Sequence, residues 1–172
     1  MLQSRRRFGY SAAMSDEIAL SLVQIAMPEA AKRLQQAAME RVKSISWFDF
    51  VPSDYEVVYT VLAALERGRF CEWGSGMGVA TGLAEMLGYT AMGIEFHEPL
   101  VAASRALLSQ FQLQARIELG DYYERTDQAD LYFAYCWPGK VARTQKRFFE
   151  VAPPGARLLI YYGRSDIRWI AK

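Results

Sequence analysis

Residues 70 to 82 read FCEWGSGMGVATG, with Gly74, Gly76, Gly78 and Gly82 following a short apolar run and an acid, Glu72. Every glycine gives up backbone entropy on folding. Glycines this dense therefore mark a tight turn or a main chain that something approaches closely. A phosphate, a carboxylate and plain packing are the candidates. The dinucleotide fingerprint G-x-G-x-x-G is not met, because Val79 stands where its third glycine would fall. A Walker loop is excluded, since no Gly-Lys-Ser/Thr follows. What remains is Glu72-x-Gly74-x-Gly76-x-Gly78.

The elements around this loop decide what it can do. Residues 15 to about 42 read as helix, with Ser15 as N-cap, Asp16 and Glu17 in the first turn, and Pro28 starting a second helical segment. An aromatic connector follows at residues 47 to 52. Ser53 is then expected to cap an amphipathic helix to about residue 66, with Val57, Val58, Val61, Leu62 and Leu65 inward and Gly68 as its stop. From there the rhythm changes. Strands are expected at 69–73, 90–95, 115–119, 130–135 and 157–162, with helices at 79–87, 99–112 and 140–151 between them. Strands alternating with helices at this spacing imply βαβ units and a parallel sheet covered on both faces. The glycine loop joins the first of these strands to its helix, where doubly wound folds bind nucleotides beyond the carboxyl ends of the strands.

Composition narrows the class. A chain of 172 residues with 52% hydrophobic and 23% charged residues is most simply one globular domain. The expected division is a flexible leader at 1–14 and a single domain at 15–172, split into a helical cover at 15–66 and a binding core at 67–172. Met14 is an alternative start. A formal net charge of +1 gives no long-range field for holding a polyanion. Two cysteines make no disulfide framework, and a reducing cytoplasm is the expected compartment. Ser4-Arg5-Arg6-Arg7-Phe8 looks like part of a twin-arginine export signal, but Asp16 and Glu17 interrupt the apolar segment such a signal needs.

With Glu72 and its alternate glycines in a doubly wound fold, the chain resembles the class I S-adenosylmethionine-dependent methyltransferases from about residue 50 to 162. The resemblance implies a Rossmann-like parallel sheet of order 3-2-1-4-5 and S-adenosylmethionine as cofactor. By it, Gly74, Ser75, Gly76 and Gly78 form the loop at the methionyl carboxylate, and Glu72 lies near the cofactor's ammonium. Glu95, ending the second strand, takes the ribose hydroxyls, a task bidentate acceptance suits. Asp121 takes the adenine amino group, with Phe96 and Tyr122 flanking the purine. Residues 51 to 58, Gly93-Ile94-Glu95 with Leu100 and Val101, and Tyr135-x-x-Pro138 are similar to small prokaryotic relatives of the lysine methyltransferases of the ATP synthase membrane subunit.

The fourth strand end, Ala134-Tyr135-Cys136-Trp137-Pro138, would face the methyl group. It holds no Asn-Pro-Pro-Tyr, which speaks against adenine or amide acceptors, and no acid, which speaks against metal-assisted catechol chemistry. Tyr135 is the candidate catalytic residue, orienting an amine, with Trp137 as a wall. The expected activity is methyl transfer to an amine, with protein lysine foremost. The alternatives are a weakly catalytic cofactor-binding regulatory domain and a small-molecule or RNA methyltransferase. His97, the sole histidine, is read as structural on the rim of the adenosine site. Cys71 and Cys136, offset by about 10 Å, are read as buried fillers. Lys140, Arg143 and Arg147 are read as a solvated helix face.

The family's sheet usually continues through two further strands after the fifth. Here the tail Arg168-Trp169-Ile170-Ala171-Lys172 leaves room for one short sixth strand. The edge at Leu158 and Ile160 is expected to be covered either by a folded-back tail or by a second copy, and the homodimer is the favoured expectation.

Overall fold

A computed structural model describes residues 17–20, 23–45, 51–163 and 166–172. The elements are β1 (Ile18–Ala19), α1 (Glu29–Val42), α2 (Tyr55–Ala64), β2 (Arg69–Trp73), α3 (Val79–Met86), β3 (Thr90–Glu95), α4 (Glu98–Gln110), β4 (Arg116–Leu119), β5 (Leu131–Tyr135), α5 (Val141–Val151), β6 (Arg157–Gly163) and β7 (Asp166–Ala171). A short 3-10 turn, Pro138–Lys140, leads into α5.

The described strands form one sheet of order β1-β7-β6-β5-β2-β3-β4. Its five central strands pair in parallel, and β7 and β1 add in antiparallel sense at one side. Counted from Arg69–Trp73 as the first strand, the parallel part has the expected order 3-2-1-4-5. The apolar runs suit a sheet covered on both faces. Strand β5 (LYFAY) and the centre of β6 are buried on both faces, as strands covered by helices on each side must be.

Side chains that alternate along each strand feed two cores. Phe70, Phe133 and Leu159 pack with Val58, Val61 and Leu62 of α2 and Ala80 and Ala84 of α3. Cys71, Tyr132 and Leu158 pack with Phe148 of α5 and with Ala152 just past its end. Helix α1 lies over α3 and α4, its Leu34 and Ala38 meeting Leu83 and Leu107. Gly82 belongs to this packing. A Cβ there would come within 2.7 Å of Leu34 Cδ2 and 3.0 Å of Leu108 Cδ2.

Two expectations about the ends are corrected, and a third has its outcome in the tail. The helix expected from residue 15 is absent across residues 18–19, which form β1. Ile18 pairs with Trp169 and Ala19 with Arg168. Residues 23–28 have no regular structure, and helix begins only at Glu29 after Pro28. The open edge of β7 offers this short segment a ladder, and tertiary pairing overrides helical periodicity. Next, α2 is capped by Asp54 rather than Ser53, since Asp54 Oδ1 accepts from the Val57 N–H at 3.3 Å. Finally, the edge at the fifth strand is covered. β7 pairs along β6 from Arg157↔Ala171 to Gly163↔Asp166, and Leu158 and Ile160 are fully buried. The folded-back tail, one of the two covers expected for this edge, therefore lies along it. The leader, Ser15, Asp16 and residues 47–50 of the aromatic connector lie outside the described residues.

Gly93 makes a test of how tightly the glycine loop sits on the sheet. A Cβ there would lie 2.6 Å from Ser75 Cβ and 2.8 Å from both Ser75 Oγ and Thr81 Oγ1. These are short side chains near their own backbones and cannot swing away. Gly93→Ala is expected to destabilise by about 3 kcal/mol, the upper end of overpacking effects. Gly82→Ala, opposed by the flexible ends of leucines, is expected to destabilise less. Denaturant midpoints of the two variants check this order.

Candidate active site

The glycine loop is a run of left-handed turns fastened to the end of β3. Gly74, Gly76 and Gly78 have φ of 75°, 51° and 71°, a region where side chains are strained. The N–H groups of Gly74 and Ser75 both donate to Ile94 O, at 2.9 and 3.0 Å. The Gly76 N–H donates to Glu95 Oε2 at 2.8 Å. The density of glycine thus has two causes: turn geometry at 74, 76 and 78, and helix packing at 82.

Two carboxylates meet behind this loop. Glu95 is 5% exposed and also accepts from the His97 N–H, at 2.9 Å through Oε1. Glu72 is 6% exposed, and its Oε2 accepts from the Thr81 N–H at 2.8 Å and the Thr81 hydroxyl at 2.6 Å. Burial pushes the Glu72 carboxyl up to about 8. The nearby Glu95 pushes the same way, against the two Thr81 hydrogen bonds.

Both acids line a cavity of about 340 Å³ at the carboxyl ends of the strands, together with Gly74, Ser75 and Gly76. Phe96 and Trp137, 63% and 50% exposed, stand at its walls. Lys140, exposed, is the only cation in this lining among the described residues. A second hollow of about 250 Å³ shares Gly74, Phe96, Tyr122 and Lys140 with it and adds Asp121, Tyr123 and Arg143. Asp121 is exposed, and its Oδ1 accepts from the Tyr123 N–H at 2.9 Å.

The structure brings Glu72, Gly74, Ser75, Gly76, Glu95, Phe96, Tyr122 and Tyr135 into one cavity and Asp121 into its neighbour. Gly78 does not line either cavity and serves as the left-handed N-cap of α3. Tyr122 already has stacking partners. Its ring lies 5.0 Å from Trp73 at 8° and 4.2 Å from Tyr123, and Arg143 sits 3.8 Å over the Tyr123 ring. Tyr135 is half-buried, set edge-on to Trp137 at 5.8 Å and tilted against Tyr161 at 5.4 Å. His97 caps α4. Both cysteines are buried, and burial pushes their thiols up to about 12 and about 11, so neither is a nucleophile at neutral pH.

Sequence reasoning missed four residues. Tyr55 is buried in the cavity wall, its hydroxyl pushed up by burial and by Glu72. Trp73 backs Tyr122, Thr81 holds Glu72, and Lys140 lines both hollows. Lys140, Arg143 and Arg147 were expected to act alike as a solvated face. Instead Arg147 turns away to donate to Arg125 O at 2.6 Å. Only Tyr55 carried a signal, as part of the segment before the first strand.

No family model matches the sequence, and no curated protein matches it. Solved structures do match in fold. An RNA methyltransferase from Salinibacter ruber, in complex with S-adenosyl-L-homocysteine, superposes with a TM-score of 0.60 at 22% identity, covering 69% of this chain and 91% of that one. A methyltransferase from Podospora anserina bound to S-adenosylhomocysteine gives 0.64 at 14% identity, over 80% of this chain and 63% of that one. An S-adenosylmethionine-dependent methyltransferase from Geobacter sulfurreducens gives 0.56 at 23% identity, over 78% and 55%. The chain thus spans little more than half the length of several structures it resembles. The fold is the Rossmann-like methyltransferase fold, with its antiparallel addition after the parallel strands.

Proposed function

We propose that this chain is an S-adenosylmethionine-dependent methyltransferase whose acceptor is an amine, with a protein lysine as the first candidate. The observation that carries the cofactor reading is the pair of buried acids in the cavity. Two buried acids, Glu72 and Glu95, line it with no buried cation beside them among the described residues. The N–H groups of Gly74, Ser75 and Gly76, which would cradle a phosphate, already donate to Ile94 O and Glu95. Such a site opposes the doubly charged pyrophosphate of a dinucleotide more than the single carboxylate of a cofactor that also bears an ammonium and a sulfonium.

Glu72 would face the ammonium, Glu95 the ribose hydroxyls through its remaining lone pairs, and Asp121 with Phe96 the adenine. When bound, S-adenosylmethionine supplies a sulfonium methyl, which the acceptor's lone pair takes as the carbon–sulfur pair returns to sulfur. Tyr135 at the end of β5 orients the acceptor nitrogen through its hydroxyl, and Trp137 walls off water. Aromatic walls without a carboxylate on this side suit a neutral amine more than a bare ammonium ion.

Thermal-shift titration is expected to show S-adenosylhomocysteine stabilising the protein and NAD not. Tighter NAD binding would sink the cofactor reading. Labelled methyl is expected to pass to lysine-bearing peptides, with kcat falling about tenfold in Tyr135→Phe, the worth of one well-placed hydrogen bond. Cofactor binding without transfer to any amine would leave a regulatory domain as the answer.

A further inference from the structure

We propose that the acceptor carries an anionic group, a carboxylate or a phosphate, beside the methylated nitrogen, and that Lys140 reads it. This rests on the methyltransferase reading above and adds a substrate class to it.

The charged groups near the cavity differ in what they already hold. Glu72 is tied to Thr81, and Glu95 to two backbone N–H groups. Both stand deep on the cofactor side. Lys140 is exposed, lines both hollows, and makes no ion pair among the described residues. Arg143, one helical turn on, lines only the second hollow, beside Asp121 on the adenine side, and spends its guanidinium face on the Tyr123 ring. The next cations on α5 are differently placed. Lys146 lies 3.9 Å and Arg147 3.4 Å from Glu150, away from either hollow.

The acceptor end of the cavity is therefore aromatic and singly cationic. Lys140 follows Trp137 by one 3-10 turn, and Trp137 packs edge-on to Tyr135, the residue placed at the transferred methyl. A cation held there would repel an acceptor surrounded by basic groups and attract one flanked by acid. An ammonium is a compact point charge that meets carboxylate or phosphate equally well, so the shared chemistry is an oxyanion near the amine. Rim charges of this kind act mainly on encounter and selection, and salt weakens them.

The test uses the full chain saturated with S-adenosylmethionine and short peptides whose central lysine is flanked by aspartate, by phosphoserine or by alanine. Methyl transfer and, on the S-adenosylhomocysteine complex, anisotropy of labelled peptides are read together. Wild-type protein is expected to favour the acidic peptides at least fivefold in kcat/KM, through KM, with the preference shrinking at about 0.5 M salt. The stronger of the aspartate and phosphoserine arms distinguishes the two sources of the oxyanion. Lys140→Glu is expected to abolish or invert the preference, and its melting temperature checks that the exposed substitution leaves the fold intact. A preference that survives in Lys140→Glu, or equal use and equal binding of all three peptides, overturns the proposal. Lys140-dependent binding of acidic peptides without methyl transfer would sink the amine reading while supporting the anion site. Failure of every peptide to bind overturns this inference and leaves the cofactor assay to judge the rest.

Discussion

Glu72→Gln is expected to leave stability nearly unchanged at pH 5 and to raise it by several kcal/mol at pH 9. The Glu72 carboxyl is pushed from its usual 4.5 to about 8, chiefly by burial. A raised acid stabilises the fold while it keeps its proton. That contribution is complete below the unfolded value, near 4.5, and is lost as pH rises through about 8. A shift of this size amounts to something on the order of 5 kcal/mol. Glutamine resembles the protonated acid and keeps one oxygen to accept from the Thr81 N–H and hydroxyl, as Glu72 Oε2 does. The variant escapes the alkaline loss, and melting curves between pH 5 and 9 measure it. Parallel curves for both proteins would refute the buried-acid account. The functional counterpart is proton release. A cofactor ammonium beside Glu72 favours the carboxylate, so binding S-adenosylhomocysteine at pH 7 is expected to expel close to one proton from the wild-type protein. Calorimetry in buffers of different ionisation heat should find that proton missing in Glu72→Gln.

The parallel core of this fold was legible because its signals are local. Five strands and three crossover helices announce themselves through apolar runs, glycine stops and alternating period, and their pairing order is the one the family resemblance implies. The two ends were not legible for the opposite reason. Ile18 and Ala19 are a strand only because Trp169 and Arg168 lie beside them. The network of Glu17 with Tyr162, Gln145 and Arg168 that holds this corner joins residues far apart in the chain. No window of sequence contains both partners.

The candidate site divides in the same way. Glycines that need positive φ at 74, 76 and 78, and acids at strand ends, are marked by residue type and position. What the acids are bonded to is not. That Glu95 holds the Gly76 N–H across β3 and the loop, or that Thr81 holds Glu72, depends on the close approach Gly93 permits. The loop N–H groups, expected to await a ligand's carboxylate, turn out to build the loop itself. Lys140 was obscured by its neighbours, since three cations at helical spacing look alike until the sheet shows which of them overhangs a cavity.

Glu95→Ala is accordingly expected to do more than weaken the cofactor. Its carboxylate accepts from the ribose hydroxyls in the proposed complex, and charge-assisted bonds of that kind contribute roughly 1.5–3 kcal/mol, or one to two decades of affinity. The same carboxylate fixes the Gly76 and His97 N–H groups, which hold the glycine loop and the start of α4. Each orphaned donor would cost about 1–3 kcal/mol in a dry interior, less here because the cavity admits water. The variant should therefore melt several degrees lower and bind S-adenosylhomocysteine at least tenfold more weakly, measured at a temperature where it is still folded. Glu95→Gln separates the two effects. Its carbonyl can keep one N–H, while its amide turns a donor toward the other, so the fold is expected to recover in part and affinity much less. A dissociation constant unchanged in Glu95→Ala would remove Glu95 from the cofactor site and leave it a loop fastener alone.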